Sequence, residues 1–312
     1  MIKPARKVHG VVTAVVTPLR AGGGVDEKSL RHLIERQIRG GVNGIFVLGS
    51  VGEGVLLSDA AALEVASIAV ASVAGRCPVL AGASDNSTGR CMKRLRDLAQ
   101  VGVDYGVVTL PFYGWPGRVD DSVQFFREVA ADSPLPLMAY NLPKAVGWKM
   151  PVDALTRLFE VPNIIGIKDT HADFDDMAAI AASPLRPAGF SYLPGNSLFT
   201  VGLLKVGADG VVSTPANIFP EPFSELYRGF CEDRMDLVER IDRELVPLLG
   251  KLLTTLPTGA GSIKAALELQ GVCARHTVRP WPEATESDLA IVRRLLDETT
   301  RAIKRFRADE GK

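Results

Sequence analysis

Eight short apolar runs punctuate the first two thirds of the chain, and they limit what it can fold into more than any other feature. They are Val11–Val16, Gly44–Leu48, Pro78–Ala81, Gly106–Thr109, Leu137–Tyr140, Ile164–Ile167, Ser191–Leu193 and Gly210–Ser213. Each is continuous rather than alternating, as expected of strands buried on both faces. Between them the apolar period changes to that of helices, as in Leu30, Leu33, Ile34 and Ile38, or Val123, Phe126, Val129 and Ala130. Asp26, Ser58 and Ser87 stand where helices should start, and Asp153 lies in a first turn behind Pro151. Strands alternating with helices imply a parallel sheet covered by helices. A doubly wound sheet would carry a GxGxxG turn after its first strand, whereas Thr17, Pro18 and Leu19 stand there. The expected architecture is therefore an α/β fold, a closed (β/α)8 or TIM barrel.

Beyond Phe219 there is no further strand-like run. Amphipathic segments cover Glu221 to Cys231, Met235 to Thr254, Gly261 to Leu269 and Ser287 to Phe306. The expected division is a barrel catalytic domain over 1–232 and a C-terminal helical extension over 233–312, packed on the barrel because no flexible linker separates them.

The chain has 312 residues, 46% of them hydrophobic, enough for one large core. Its 36 basic and 36 acidic residues cancel, so no global field favours nucleic acid or an anionic membrane as a partner. Cys77, Cys91, Cys231 and Cys273 are dispersed and include no CxxC pair, which argues against a disulfide framework or a thiolate metal site. Lys3, Arg6 and Lys7 precede the apolar run Val11–Val16 in the manner of a signal peptide. That run is too short and is broken by Thr13, and no stretch reaches the roughly 20 apolar residues of a membrane-spanning helix. A cytoplasmic protein is expected.

In such a barrel the active site forms where the strands end. The second run closes in Gly49-Ser50-Val51-Gly52-Glu53, the fourth in Leu110-Pro111-Phe112-Tyr113, the fifth in Tyr140-Asn141-Leu142-Pro143 and the sixth in Gly166-Ile167-Lys168-Asp169-Thr170. Lys168 ends an apolar run, and alternation sends Asp169 to the opposite face. An amine among apolar neighbours with no paired carboxylate is more readily the free base that attacks a ketone. The same lysine would otherwise be a rim residue reaching to water. Its companions favour chemistry: Tyr140 and Tyr113 can relay protons, with the Ser50 hydroxyl linking them. The Gly-Ser-Val-Gly turn also presents successive amides able to hold a carboxylate.

These residues resemble the pyruvate-dependent class I aldolases and lyases that include dihydrodipicolinate synthase and N-acetylneuraminate lyase. The resemblance covers nearly the whole chain. Gly49–Glu53 is similar to the family's glycine–hydroxyl–hydroxyl–glycine–glutamate signature and Tyr140–Pro143 to its Tyr-Asn-x-Pro motif, with Lys168 at the family's interval. Gly195 and the stretch Gly207–Ser213 match as well. The resemblance implies that Lys168 forms a Schiff base with pyruvate or another 2-oxo acid, that Tyr140 is the acid/base phenol, and that Ser50 connects it to Tyr113. It implies a substrate carboxylate on the amides of Ser50 and Val51, with the Val212 carbonyl nearby, and no metal or organic cofactor. It further implies a homo-oligomer, dimer or tetramer, in which the counterpart of Tyr113 is often lent by a neighbouring subunit.

Departures bear on the substrate. Ala145 stands where dihydrodipicolinate synthases usually carry an arginine, and the adjacent Lys144 does not reproduce a bidentate guanidinium. Asn196 and Ser197 replace the acidic residues of sialic acid lyases, and Val51 replaces a second hydroxyl. Lys168-Asp169-Thr170 is similar to members acting on 2-keto-3-deoxy sugar acids, whose hydroxyls Asn196, Ser197, Ser213 and Thr214 would meet. The expected function is cleavage or dehydration of a 2-keto-3-deoxy sugar acid or 4-hydroxy-2-oxo acid. The alternatives are a dihydrodipicolinate synthase, joining pyruvate and aspartate semialdehyde, and a non-catalytic barrel that binds a 2-oxo acid or serves structurally. A metal-dependent barrel would need converging His, Asp and Glu. His9, His32, His171 and His276 are scattered, and Asp173, Asp175 and Asp176 are expected to begin a helix.

Overall fold

In the computed structural model, which describes residues 7–115 and 117–310, each of the eight apolar runs forms a strand. Lys3 and Arg6 lie outside the described residues. The strands are β1 (Gly10–Ala14), β2 (Gly44–Val47), β3 (Val79–Gly82), β4 (Tyr105–Thr109), β5 (Leu137–Asn141), β6 (Ile164–Asp169), β7 (Ser191–Pro194) and β8 (Gly210–Ser213). They pair in parallel in the order β7-β6-β5-β4-β3-β2-β1-β8. Between β7 and β8 the circle is completed through Asp209, whose amide donates to the Tyr192 carbonyl at 3.0 Å and whose Oδ2 accepts from the Tyr192 amide at 2.8 Å. The result is a (β/α)8 barrel.

Alternation sorts the side chains into two layers. Val12, Ala14, Phe46, Leu80, Val107, Met138, Tyr140, Leu193 and Val212 fill the barrel, while Val11, Ile45, Val47, Ala81 and Val108 face the helices. The helices on that outer layer are α1 (Glu27–Arg39), α2 (Asp59–Val73), α3 (Thr88–Val101), α4 (Val119–Ala131), α6 (Val152–Arg157), α7 (Phe174–Ala181), α8 (Thr200–Lys205) and α9 (Glu221–Cys231), with a single turn, α5 (Pro143–Val146), after β5. Asp26, Ser58 and Ser87 cap α1, α2 and α3 as expected, each accepting an amide three residues on and contributing about 1 kcal/mol. Asp173 caps α7 in the same way, so the acidic cluster there is a helix start.

The extension comprises α10 (Met235–Glu244), α11 (Val246–Thr254), α12 (Gly259–Leu269) and α13 (Glu286–Glu310). The segment from Met235 to Thr254 is not one helix. Pro247 in the first turn of α11 offers no amide to the preceding turn, and the chain bends at Leu245. α11 packs on the turns that follow β7 and β8, which places the extension over the end of the barrel where the strands finish. Among the described residues, no helix is long and apolar enough to cross a membrane.

Candidate active site

Lys168 owes its direction to an irregularity in the sheet. Leu137 pairs with Ile164, but Met138 pairs with Gly166, so Ile165 is an extra residue in β6. The bulge shifts everything beyond it by one place and sets Tyr140 beside Lys168 and Asn141 beside Asp169. Without it Tyr140 would lie beside Ile167, and Lys168 would align with Asn141. Gly166 makes the bend possible: a Cβ there would lie 2.6 Å from the Ser191 carbonyl oxygen and 3.1 Å from Met138 Cε.

The Lys168 side chain is buried inside the barrel end, with Nζ 3.9 Å from the centre of the Tyr140 ring and 4.7 Å from that of Phe46. Among the described residues it makes no hydrogen bond and no ion pair. Gly195 lies beside its stem, where a Cβ would come within 3.4 Å of Lys168 Cε and 2.0 Å of Thr170 Oγ1. The amine thus has aromatic faces for neighbours instead of a carboxylate, as the sequence suggested.

The loop after β2 is held tightly. Leu48 and Glu53, both at φ 58°, bracket it, and a Cβ on Gly52 would lie 2.9 Å from the Val15 carbonyl oxygen, so only glycine fits. Thr17 Oγ1 donates to the Gly52 carbonyl at 2.6 Å. Ser50 is exposed and Val51 half-buried against the barrel interior, and among the described residues neither amide donates to an acceptor. Two free successive amides suit an anion.

The remaining expected residues divide. Tyr140 and Val212 lie in the barrel interior with Lys168. The Tyr140, Ser50 and Tyr113 hydroxyls are not bonded to one another within the chain, and Tyr113 is 84% exposed. Asn196 accepts from the Leu198 amide at 3.2 Å, Thr214 is half-buried at the turn after β8, and Ser213 is buried, its hydroxyl accepting from the Ala216 amide at 3.3 Å and lying 3.5 Å from Ser197 Oγ. Ala145 is exposed on α5, so no guanidinium stands there.

Sequence reasoning missed what lies behind Lys168. Asp169, fully buried on the outer face, accepts from Asn141 Nδ2 at 2.9 Å and the Tyr192 hydroxyl at 2.9 Å, and His171 Nδ1 lies 2.7 Å from it. Burial and the Asp169 charge push the Tyr192 phenol well above its usual range. The His171 side chain is therefore a buried partner of Asp169, and its Nε2 is buried without a partner. The signal was available: a carboxylate sent under the helices must be paired. Also missed was the buried ion pair of Glu53 with Lys264 of α12, in which burial holds the Lys264 ammonium below the usual lysine range against the opposing effect of Glu53. Thr170 Oγ1 is buried without a partner. Among the described residues, no three of His, Cys, Asp and Glu converge to hold a metal ion.

The chain as a whole has counterparts among known proteins. The profile of the Dihydrodipicolinate synthetase family matches residues 7–299. The chain belongs to this family. A 4-hydroxy-tetrahydrodipicolinate synthase of Syntrophus aciditrophicus is 32% identical over 287 residues, covering 92% of this chain and 97% of that one. The crystal structure of dihydrodipicolinate synthase from Thermotoga maritima superposes with a TM-score of 0.89 at 28% identity, over 94% of this chain and 99% of that one. A prophage protein of the same family from E. coli K12, solved in complex with pyruvate, gives 0.87 at 26% identity, over 94% and 98%. Dihydrodipicolinate synthetase family members are lyases of the class I aldolase type.

Proposed function

We propose that Lys168 forms a Schiff base with the carbonyl carbon of a 2-oxo acid, and that the natural reaction is cleavage or dehydration of a 2-keto-3-deoxy sugar acid or 4-hydroxy-2-oxo acid. The observation that carries the reading is the buried Lys168 amine, free of any carboxylate and set against the Tyr140 ring. The amine adds to C2, and loss of water leaves an iminium. In cleavage, a base takes the C4 hydroxyl proton, the C3–C4 bond breaks, and its electrons move to the iminium nitrogen to give an enamine and an aldehyde. Protonation at C3 and hydrolysis then return pyruvate and the free amine. Tyr140 supplies and accepts these protons, and the Ser50 and Val51 amides hold the carboxylate, with Val212 beside them. No metal or organic cofactor enters the scheme. Tyr113 is 84% exposed and its hydroxyl is bonded to neither Ser50 nor Tyr140 of its own chain, so in this reading a second copy of the chain lends it, which makes a homo-oligomer part of the reading.

The buried, unpaired Thr170 hydroxyl beside Gly195 and the Lys168 stem supports a hydroxylated substrate. So does Ala145, which leaves no bidentate partner for a second carboxylate. The names of the relatives favour a second reading, 4-hydroxy-tetrahydrodipicolinate synthase, which condenses pyruvate with aspartate semialdehyde. The first test is incubation with pyruvate and borohydride, followed by intact mass and peptide mapping. A pyruvyl adduct on Lys168, absent in Lys168→Ala, is expected; no adduct on a folded protein overturns the reading. Turnover of a 2-keto-3-deoxy sugar acid panel against aspartate semialdehyde then decides between the substrates.

A further inference from the structure

Among the fully buried charged groups that the chemistry proposed above leaves unused, two lie where the barrel meets the C-terminal helices. Glu53 closes the loop after β2, and Lys264 stands in α12, 211 residues further on. The Lys264 ammonium donates to Glu53 Oε2 and, at 2.7 Å, to the His276 carbonyl. Glu53 Oε1 accepts from the Val278 amide at 2.6 Å. On the loop side, the Glu53 amide donates to the Ser50 carbonyl at 3.1 Å, and its own carbonyl accepts from the Leu56 amide at 2.9 Å and the Leu57 amide at 3.1 Å. Every link from the extension therefore ends one hydrogen bond from Ser50.

A second contact is independent of the charges. Gly259 begins α12, and a Cβ there would lie 3.4 Å from Val51 Cγ1 and 3.0 Å from Leu253 Cδ1. One helix thus approaches the loop at Val51 through its first residue and pairs with it at Glu53 through its sixth. A buried ion pair adds little stability over well-packed apolar residues, but it fixes the separation and direction of the groups that carry it. Here one of those groups, Glu53, belongs to the loop with two unused amides, and the other to α12.

We propose that Glu53 and Lys264 are positioning residues: their ion pair, tied to the strap of His276 and Val278, aims the Ser50 and Val51 amides at the carboxylate of the 2-oxo acid. The proposal rests on reading those amides as the carboxylate site. The extension is then part of the binding apparatus, and disturbing it weakens the hold on the acid while leaving Lys168 and Tyr140, which sit on β6 and β5, able to react.

The test uses the borohydride adduct of the full chain, recorded as a function of pyruvate concentration. Single substitutions would strand one buried charge, so the main variant is the double Glu53→Gln/Lys264→Met, with Gly259→Val as a second that leaves the pair intact and presses on Val51. The half-saturating pyruvate concentration should rise about tenfold in the double variant and about threefold in Gly259→Val, with the adduct yield at saturation unchanged. A merely structural pair would lower the melting temperature without moving half-saturation. A folded double variant with wild-type half-saturation overturns the proposal. If the double variant does not fold, Gly259→Val decides, and wild-type half-saturation there overturns it. Absence of an adduct in the wild type overturns the functional reading, and this proposal with it.

Discussion

Lys168 takes its setting from ring faces rather than from an opposing charge, and that choice separates it from the other buried lysine. Lys264 is matched by Glu53 and a carbonyl; Lys168 has the rings of Tyr140 at 3.9 Å and Phe46 at 4.7 Å and no carboxylate beside it. Tyr140 is the only hydroxyl-bearing residue of the barrel-interior cluster that also pairs with Lys168 in the sheet. Tyr140→Phe should therefore lower kcat by about a hundredfold or more, the usual effect of losing a positioned acid/base, with little change in melting temperature. An unchanged kcat would remove the phenol from the mechanism. Thr170→Val probes the substrate instead. It should leave pyruvate adduct formation untouched while reducing kcat/KM for a 2-keto-3-deoxy sugar acid about tenfold, the worth of one hydrogen bond to a substrate hydroxyl. The place of Lys168 near the end of a strand was legible in the sequence because it ends an apolar run. Thr170 and Ser213 were not separable there, because whether a hydroxyl is free depends on partners distant in the chain: Ser213 is engaged by Ala216 and Ser197, Thr170 by none.

The strands β5, β6 and β7 act as one unit, and their outer face explains why the inner face is so well placed. Asn141, Asp169 and Tyr192 each stand on a different strand, and their side chains join across all three at 2.9 Å per step. This fixes the register that the Ile165 bulge creates, one residue from the Tyr140–Lys168 pair. Tyr192→Phe removes a donor from a buried carboxylate and should cost about 1.5–3 kcal/mol in urea unfolding. A loss within experimental error would mean that the network does not lock the strands. Gly166→Ala should likewise destabilise by about 1–3 kcal/mol, because its methyl group meets the Ser191 carbonyl. At this scale the strands and the caps Asp26, Ser58 and Ser87 were readable from local pattern alone. The bend at Leu245, the turn Pro143–Val146 and the bulge were not, since each is a response to neighbours rather than to periodicity. The same holds for Glu53 and Lys264, whose spacing of 211 residues carries no local signal.

Taken as a whole molecule, the fold hides most of its reactive groups. Burial pushes the thiols of Cys77 and Cys91 up to about 11 and that of Cys273 up to about 12, so almost none of them is thiolate at neutral pH, whereas Cys231 is exposed. A thiol reagent at pH 7.5 should therefore titrate Cys231 rapidly, the half-buried Cys77 slowly, and Cys91 and Cys273 only after unfolding. Rapid reaction of all four would contradict the packing described. Tyr113, like Cys231, escapes this concealment: it is a large aromatic, 84% exposed, on the loop after β4, and its hydroxyl meets neither Ser50 nor Tyr140 of its own chain. If a second copy lends this phenol, the active site is shared, and complementation follows from symmetry. Lys168→Ala and Tyr113→Phe are each expected to be nearly inactive alone. In a mixed dimer, the chain that keeps Lys168 receives an intact Tyr113 from its partner, so one of the two sites is whole. Equal mixing with free exchange should restore about a quarter of wild-type activity, since half of the dimers are mixed and each has one good site. If each chain uses its own Tyr113, every site in the mixture lacks one of the two residues and no activity returns. The mixing experiment thus reads subunit sharing from activity alone, without requiring that the assembly be seen.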